Sequence, residues 1–429
     1  MEPADQPVAI RRRGLPRRAL LLAALALATP AVARGAGVRV GPEGLAAALA
    51  EARPGSVLLL EPGDYAGLSL RDRGGAPGTP VTIRAADPAV PPRLARLRLR
   101  DASHLVLTDL VLDYRFAAGD TIRDRPFEIR GGSGLRLSRL LVDGDLARGR
   151  SAIDDGHPTA FGLALTGVAD VTIEETEIRR LHRGLVVDRC RGVTVRNCLL
   201  HGLRSDGMNF AAVQRLTIEG NTIRDFARAE GSRDHPDMIQ FWTNGTTTPA
   251  TDIVIRRNRL LAGTGGWTQS IFMRNEEVDT GRAGTEMFYR NVLIEENFIH
   301  NAHAHGITVG ETRGLVIRRN TVVRNPAAEG PQRNPSLWTP MIRVARRAER
   351  VAIEANVTAR IIGHENQPDW RVERNLLVQG ETRMKPGHYS AVFAGDDPTD
   401  PASFRPRPGG PLDGSGIGAP AALAGRGRP

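Results

Sequence analysis

TVRN (194–197), TIEGN (217–221), VIRRN (254–258), LIEEN (293–297), VIRRN (316–320), AIEAN (352–356) and RVERN (371–375) are seven short segments of one kind, each ending in asparagine. Apolar and polar residues alternate in each, the period of two expected of a strand with one buried face. Successive asparagines lie 24, 37, 39, 23, 36 and 19 residues apart. A unit of roughly 20 to 24 residues that sometimes carries an extra loop has the period of a solenoid. Asparagine suits the turn after such a strand because it tolerates left-handed backbone angles and bonds its own backbone. Stacked coils would place one asparagine above the next, so an amide ladder is expected, as in stacked cross-β chains. The Leu-x-x-Leu-x-Leu frame of leucine-rich repeats is absent.

Each unit holds a second short strand: RGLVV (183–187), DGMNF (206–210), DMIQF (237–241), QSIFM (269–273), HGITV (305–309) and PMIRV (340–344). Two or three strands per coil, with turns between, describe an all-β, single-stranded right-handed parallel β-helix. Its core is then a set of stacked columns, one of them Leu185, Met208, Ile239, Ile271, Ile307 and Ile342.

A chain of 429 residues would ordinarily suggest two or three domains. A solenoid escapes that expectation because its core grows with length and not with diameter. Residues 1–35 read as a signal peptide. Arg11, Arg12, Arg13, Arg17 and Arg18 precede the apolar run Leu20 to Ala28, and small residues end at Ala31-Val32-Ala33. That run is too short to span a bilayer, and no other is long enough, so a periplasmic or secreted protein without a membrane span is expected. Residues 36–395 form the β-helix domain, and 396–429 a Pro/Gly-rich C-terminal tail that begins DDPTDPASF. Nothing in the repeats asks for a partner chain, so a monomer is expected.

The net charge of +10 does not make this a nucleic-acid-binding chain. The signal region alone supplies five arginines against Glu2 and Asp5, and lysine occurs once, at Lys385. Pairs such as Arg256-Arg257 and Arg318-Arg319 recur coil by coil instead of clustering, as on a solvated face. The same excess suits attraction of an anionic polymer such as a uronic-acid polysaccharide. Cys190 and Cys198 lie one strand apart, and both a disulfide and two buried thiols are compatible with that spacing.

Strand alternation lays the second strands out on a surface. With Met208 and Phe210 inward, Asp206 and Asn209 face out, followed coil by coil by Asp237 and Gln240, Gln269 and Phe272, His305 and Thr308, and Arg343. Trp242 and Arg274 share a neighbouring column. With coils about 4.8 Å apart, Asp206 and Asp237 should be neighbours, with His305 two coils away. The longest intervals insert FARAEGSRDH (226–235), NEEVDTGRAGTEM (275–287) and PAAEGPQRNPSLW (326–338), loops able to wall a cleft. Trp242, Trp267 and Trp338 fall in this stretch, where their rings can stack on sugars or anchor loops.

Several chemistries suit these residues. Two carboxylates about 5 Å apart serve retaining glycoside hydrolysis, which Asp206 and Asp237 would approach. A β-elimination must neutralise a uronate carboxylate, abstract the C5 proton and protonate the leaving oxygen. Arg274 and Arg343 would neutralise and His305 would be the base, since arginine is too weak an acid to serve as one. Asn209, Gln240, Trp242, Gln269 and Arg343 are the candidate substrate-binding residues. No cofactor is required, although Asp234 and Asp237, flanking His235-Pro236, are candidate oxygen ligands for Ca2+. His300, His303 and His305 lack the acidic or cysteine partner that a zinc site would add.

The opening of the chain carries a family resemblance. GLAAALAEARPGSVLLLEPGDY (44–65) holds an amphipathic helix that would cap the open end of the solenoid, followed by the strand GTPVTIRA (78–85) and the coil HLVLTDLVL (104–112). These segments resemble the N-terminal part of pectate-lyase-like parallel β-helix proteins, most closely alginate lyases and chondroitinase B-type polysaccharide lyases. The resemblance extends at fold level over nearly the whole chain after the signal region, and it implies a polysaccharide substrate. The chondroitinase B-like enzymes use a Lys/Arg pair for proton abstraction, whereas no lysine lies in the central coils here. The expectation is an exported lyase cleaving an acidic polysaccharide by β-elimination. The alternatives are a glycoside hydrolase using Asp206 and Asp237, and a non-catalytic carbohydrate-binding or surface β-helix.

Overall fold

A computed structural model describes residues 37–425 apart from Gly265 and residues 331–333; the signal-like segment 1–35 and the last four residues of the tail lie outside it. Among the described residues, three parallel sheets of 13, 12 and 11 strands run the length of a right-handed β-helix. Each coil supplies one strand to each sheet in turn, as in Ala169–Glu174, Glu177–Arg179 and Arg183–Asp188. The asparagine-terminated strands form the first sheet, and the predicted second strands form the third. The predicted inward column is in register throughout, Leu185 on Met208, Ile239, Ile271, Ile307 and Ile342.

The asparagine ladder is present, one rung shorter than expected and with a different backbone basis. Its rungs are Asn221, Asn258, Asn297, Asn320, Asn356 and Asn375, each Oδ1 accepting from the backbone N–H and, where there is one, the side-chain Nδ2 of the rung before it at 2.9–3.0 Å. Asn197 is not a rung. Cys198 holds that position and donates its backbone N–H to Asn221. The left-handed conformation belongs to the residue before each rung, such as Arg257, Glu296 and Arg319, with φ between 51° and 57°. The amide is therefore used for its two-sided hydrogen bonding and not for backbone tolerance.

The helix Leu45–Glu51 buries Leu45 and Leu49 against the first coils, as a cap should. On the outer face of the first sheet some of the arginines are paired, Arg318 with Glu295 at 2.8 Å and Glu296 with both Arg257 and Arg319 at 2.7 Å. Cys190 and Cys198 are both free and buried. The tail is ordered against the helix: Phe393, Phe404 and Leu412 pack on Phe298, Val323 and Val357 of the second sheet.

The third sheet is flanked by loops. The long connections 225–236, 262–268 and 325–340 enter its strands on one side, while 243–250 and 274–288 leave on the other.

Candidate active site

The outward row of the third sheet runs Val186, Asn209, Gln240, Phe272, Thr308 and Arg343, the register expected from alternation. Asp237 lies beside Gln269 in the next coil. Asp206 and Asp237 are neighbours, but they are not open to solvent: their exposures are 1% and 0%, and that of Asn209 is 1%. They form a closed network. Asn209 Nδ2 donates to Asp206 Oδ2 at 3.0 Å and to Gln240 Oε1 at 2.6 Å, while Gln240 Nε2 donates to Asp237 Oδ2 at 2.9 Å. The Asp237 backbone N–H donates to Asp206 Oδ1 at 3.2 Å.

Two basic side chains close this network over. Arg183 Nε lies 3.1 Å from Asp206 Oδ2, and its guanidinium sits 5.3 Å from the rings of Phe161 and Trp242. His235 Nδ1 lies 3.2 Å from Asp237 Oδ2, and 64% of its side chain faces solvent. Burial raises the Asp237 carboxyl, with Asp206 adding to the rise and His235 opposing it. Asp237 in turn raises the His235 imidazole above its ordinary value. The expectation that Asp206, Asp237, Asn209 and Gln240 face a substrate is thus corrected, because Arg183, His235 and the amides cover them. What the buried pair presents outward is the His235 imidazole.

His235 opens on a cavity of about 470 Å3 that is also lined by His305, Arg343, Arg228, Gln269 and Trp267. His305 Nδ1 lies 2.8 Å from the Thr308 hydroxyl, and its ring meets Phe272 edge-on at 4.8 Å and stacks on His303 at 5.1 Å. Burial, with Arg343 assisting, pushes His305 down to about 4, and burial pushes His303 down to about 3. Both are therefore neutral near pH 7, and His305 keeps a basic nitrogen.

Other expected residues stand elsewhere. Arg274 does not line the cavity; it pairs with Asp279 of its own loop at 2.9 Å. Asp234 does not join Asp237, since Arg204 and His182 hold it. His300 turns toward the tail, its Nε2 2.9 Å from the Pro398 carbonyl, so the three histidines form no common site. Among the described residues, Asp206, His235 and Asp237 are instead the set whose ligand atoms lie within 4.8 Å of one another. Arg183 and His235 were missed as functional. Arg183 shares the phase of Asp206 one coil earlier, two residues before Leu185 as Asp206 is before Met208, a signal that register alone offered. His235 sits in an aperiodic loop and gave none.

The model of the right handed beta helix region family matches residues 161–328. Among solved structures, a PL6 family alginate lyase, AlyGC, is similar at 14% identity and a TM-score of 0.53, covering 92% of this chain and 58% of that one. The Dettilon tailspike protein is similar at 12% identity and a TM-score of 0.51, covering 81% of this chain and 63% of that one. The chain thus spans less than two thirds of either. No curated protein matches it. A family-model match in the coils, two fold likenesses and three continuous parallel sheets agree that this chain has the right-handed parallel β-helix fold.

Proposed function

We propose that the protein is an exported enzyme that cleaves an acidic polysaccharide by β-elimination. The observation that carries this reading is the cavity in which a neutral imidazole, His305, adjoins the cation Arg343, with the raised imidazole of His235 also on the wall. A uronate bound there would set its carboxylate against Arg343 and Arg228, which makes the C5 proton more acidic. His305 takes that proton, the C4–O bond breaks as the C4–C5 double bond forms, and His235 protonates the departing oxygen. Trp267 and Gln269 would hold the neighbouring ring, with Trp242 further along the sheet.

The arginine pattern supports an acidic substrate. Arg125, Arg228 and Arg343 have no carboxylate within ion-pair distance among the described residues, whereas Arg257, Arg318 and Arg319 beside the first sheet do. Hydrolysis by Asp206 and Asp237 is less well supported, because a nucleophilic carboxylate must reach the anomeric carbon and both are enclosed. A metal-assisted variant is favoured by one observation, the unpartnered Asp237 Oδ1 inside the Asp206–His235–Asp237 set. A set with an imidazole suits a transition ion better than Ca2+, and such an ion would supply charge neutralisation.

The test is incubation with a panel of uronic-acid polymers while ultraviolet absorbance of the unsaturated product is followed. Absorbance supports elimination. New reducing ends without absorbance would indicate hydrolysis, and retention on a polymer column without either would indicate a binding protein. Repeating the assay after chelation and dialysis decides the metal-assisted variant.

A further inference from the structure

We infer that the proposed groove continues from the cavity along the third sheet to a second anionic subsite, where Arg125, seated on the Phe161 ring, holds a uronate about five residues from the one cleaved. The identity of the ligand rests on the proposed function; the place of the subsite rests on a stack of side chains that the reaction itself does not use.

Arg125 lies in the irregular segment before the strand Phe127–Arg130. Its guanidinium carbon is 5.5 Å from the centre of the Phe161 ring. That of Arg183 is 5.3 Å from the same ring and 5.3 Å from the ring of Trp242. Cation, ring, cation and ring thus alternate from Arg125 to Trp242. The Phe161 ring is a fixed base, since it is 5% exposed and His182 stacks on it at 5.9 Å. The two cations differ in what faces them. Arg183 lies 3.1 Å from Asp206, so its charge is met within the protein. Arg125 is exposed and has no carboxylate within ion-pair distance among the described residues. A guanidinium seated on a ring loses little further freedom when its fork of N–H groups engages a planar carboxylate.

Register fixes how far this stack lies from the cavity. The strands Phe161–Thr166 and His305–Val309 are five steps apart in the third sheet. At about 4.8 Å a step, that is roughly 24 Å. A pyranose with its linkage oxygen advances an extended chain nearly as far as one coil step. A uronate at Arg125 is therefore about five residues from the one at His305. Trp242 stands between them, at the end of a strand two steps from that of His305, and its ring is part-exposed. That ring offers an intervening sugar a flat apolar surface. Uncompensated cations thus mark both ends of the stretch, Arg228 and Arg343 at the cavity and Arg125 at the stack, which is the spacing of charge that a polyuronate carries along its own length.

The test is affinity against chain length. Trimers and octamers of mannuronate, guluronate and galacturonate are titrated calorimetrically into the full chain carrying His305→Gln, so that the proposed reaction does not consume them. For the uronate that binds, the octamer should bind about tenfold or more tightly than the trimer, because only the octamer reaches both ends. In Arg125→Gln that ratio should fall toward one. Arg125→Lys, which keeps the charge and loses the fork, should retain part of it. Arg257→Gln, on the first sheet, should leave the ratio as it was. A ratio near one before Arg125 is changed, a ratio that Arg125→Gln does not lower, or octamers none of which bind overturns the inference. Arg125 is exposed, so its replacement leaves the fold intact, which circular dichroism checks. Binding needs no turnover. Length-dependent binding by a native chain that cleaves no uronate polymer would sink the proposed function and leave the subsite standing, and cleavage with a ratio indifferent to Arg125 would do the reverse.

Discussion

His305 and His235 differ in proton affinity because of what surrounds each ring. Burial beside Arg343 keeps His305 neutral, and the Asp237 carboxylate raises the proton affinity of His235. Replacing His305 by Gln should reduce elimination by about a hundredfold or more, measured by product absorbance, with the fold unchanged by circular dichroism. The rate should hold as pH falls until His305 protonates near pH 4, and decline as pH rises past the raised value of His235. Asp237→Asn should lower that upper limb, because the imidazole loses its anionic partner. The same substitution removes a carboxyl whose charged form burial disfavours, so it should stabilise the protein at alkaline pH, where the native group must ionise. The sign is opposite for His303 and His305, which bind protons less readily folded than unfolded. Stability that depends on their neutral forms is complete above pH 6.5 and falls as pH drops toward 3–4. Urea titrations across that range check both signs.

The asparagine ladder shows how an element-level device joins coils. In Asn297, Oδ1 accepts from both the backbone and the side chain of Asn258 while Nδ2 donates to Ile255 O. Asn297→Ala would orphan these buried partners and should cost about 3 kcal/mol in denaturant unfolding. Asn375→Ala, at the partly exposed last rung, should cost about 1 kcal/mol, since water can replace what is lost. The ladder was legible because a rung needs the same side chain at the same phase. The shift from Asn197 to Cys198 was not, because two adjacent residues both satisfy the strand pattern and only the hydrogen bonds choose. Loops behave differently. The segment 226–235 has no period, so nothing in it marks Asp234 as a partner of Arg204 or His235 as the residue at the cavity.

Along the β-helix, Arg257, Arg318 and Arg319 beside the first sheet are paired with carboxylates, while Arg125, Arg228 and Arg343 beside the third sheet have none within ion-pair distance among the described residues. A triple Arg→Gln variant at those three positions should abolish retention on an anionic polymer column, and retention of the native chain should weaken as salt is raised. Arg257→Gln, which only breaks a surface pair, should leave retention unchanged, so equal losses in both would remove the argument for a directed cationic face.

Period and composition sufficed for the β-helix, its cap, the inward columns and the coil-by-coil neighbours, because each follows from a repeat that local chain geometry imposes. Which polar side chains meet solvent did not follow. Alternation gives a side to each residue but not what lies over it, and here Arg183 from the coil before Asp206, and His235 from the irregular loop just before Asp237, cover the two carboxylates. The reactive surface therefore passed from two carboxylates to an imidazole, a change made by a neighbouring coil and by a loop that the strand period does not describe.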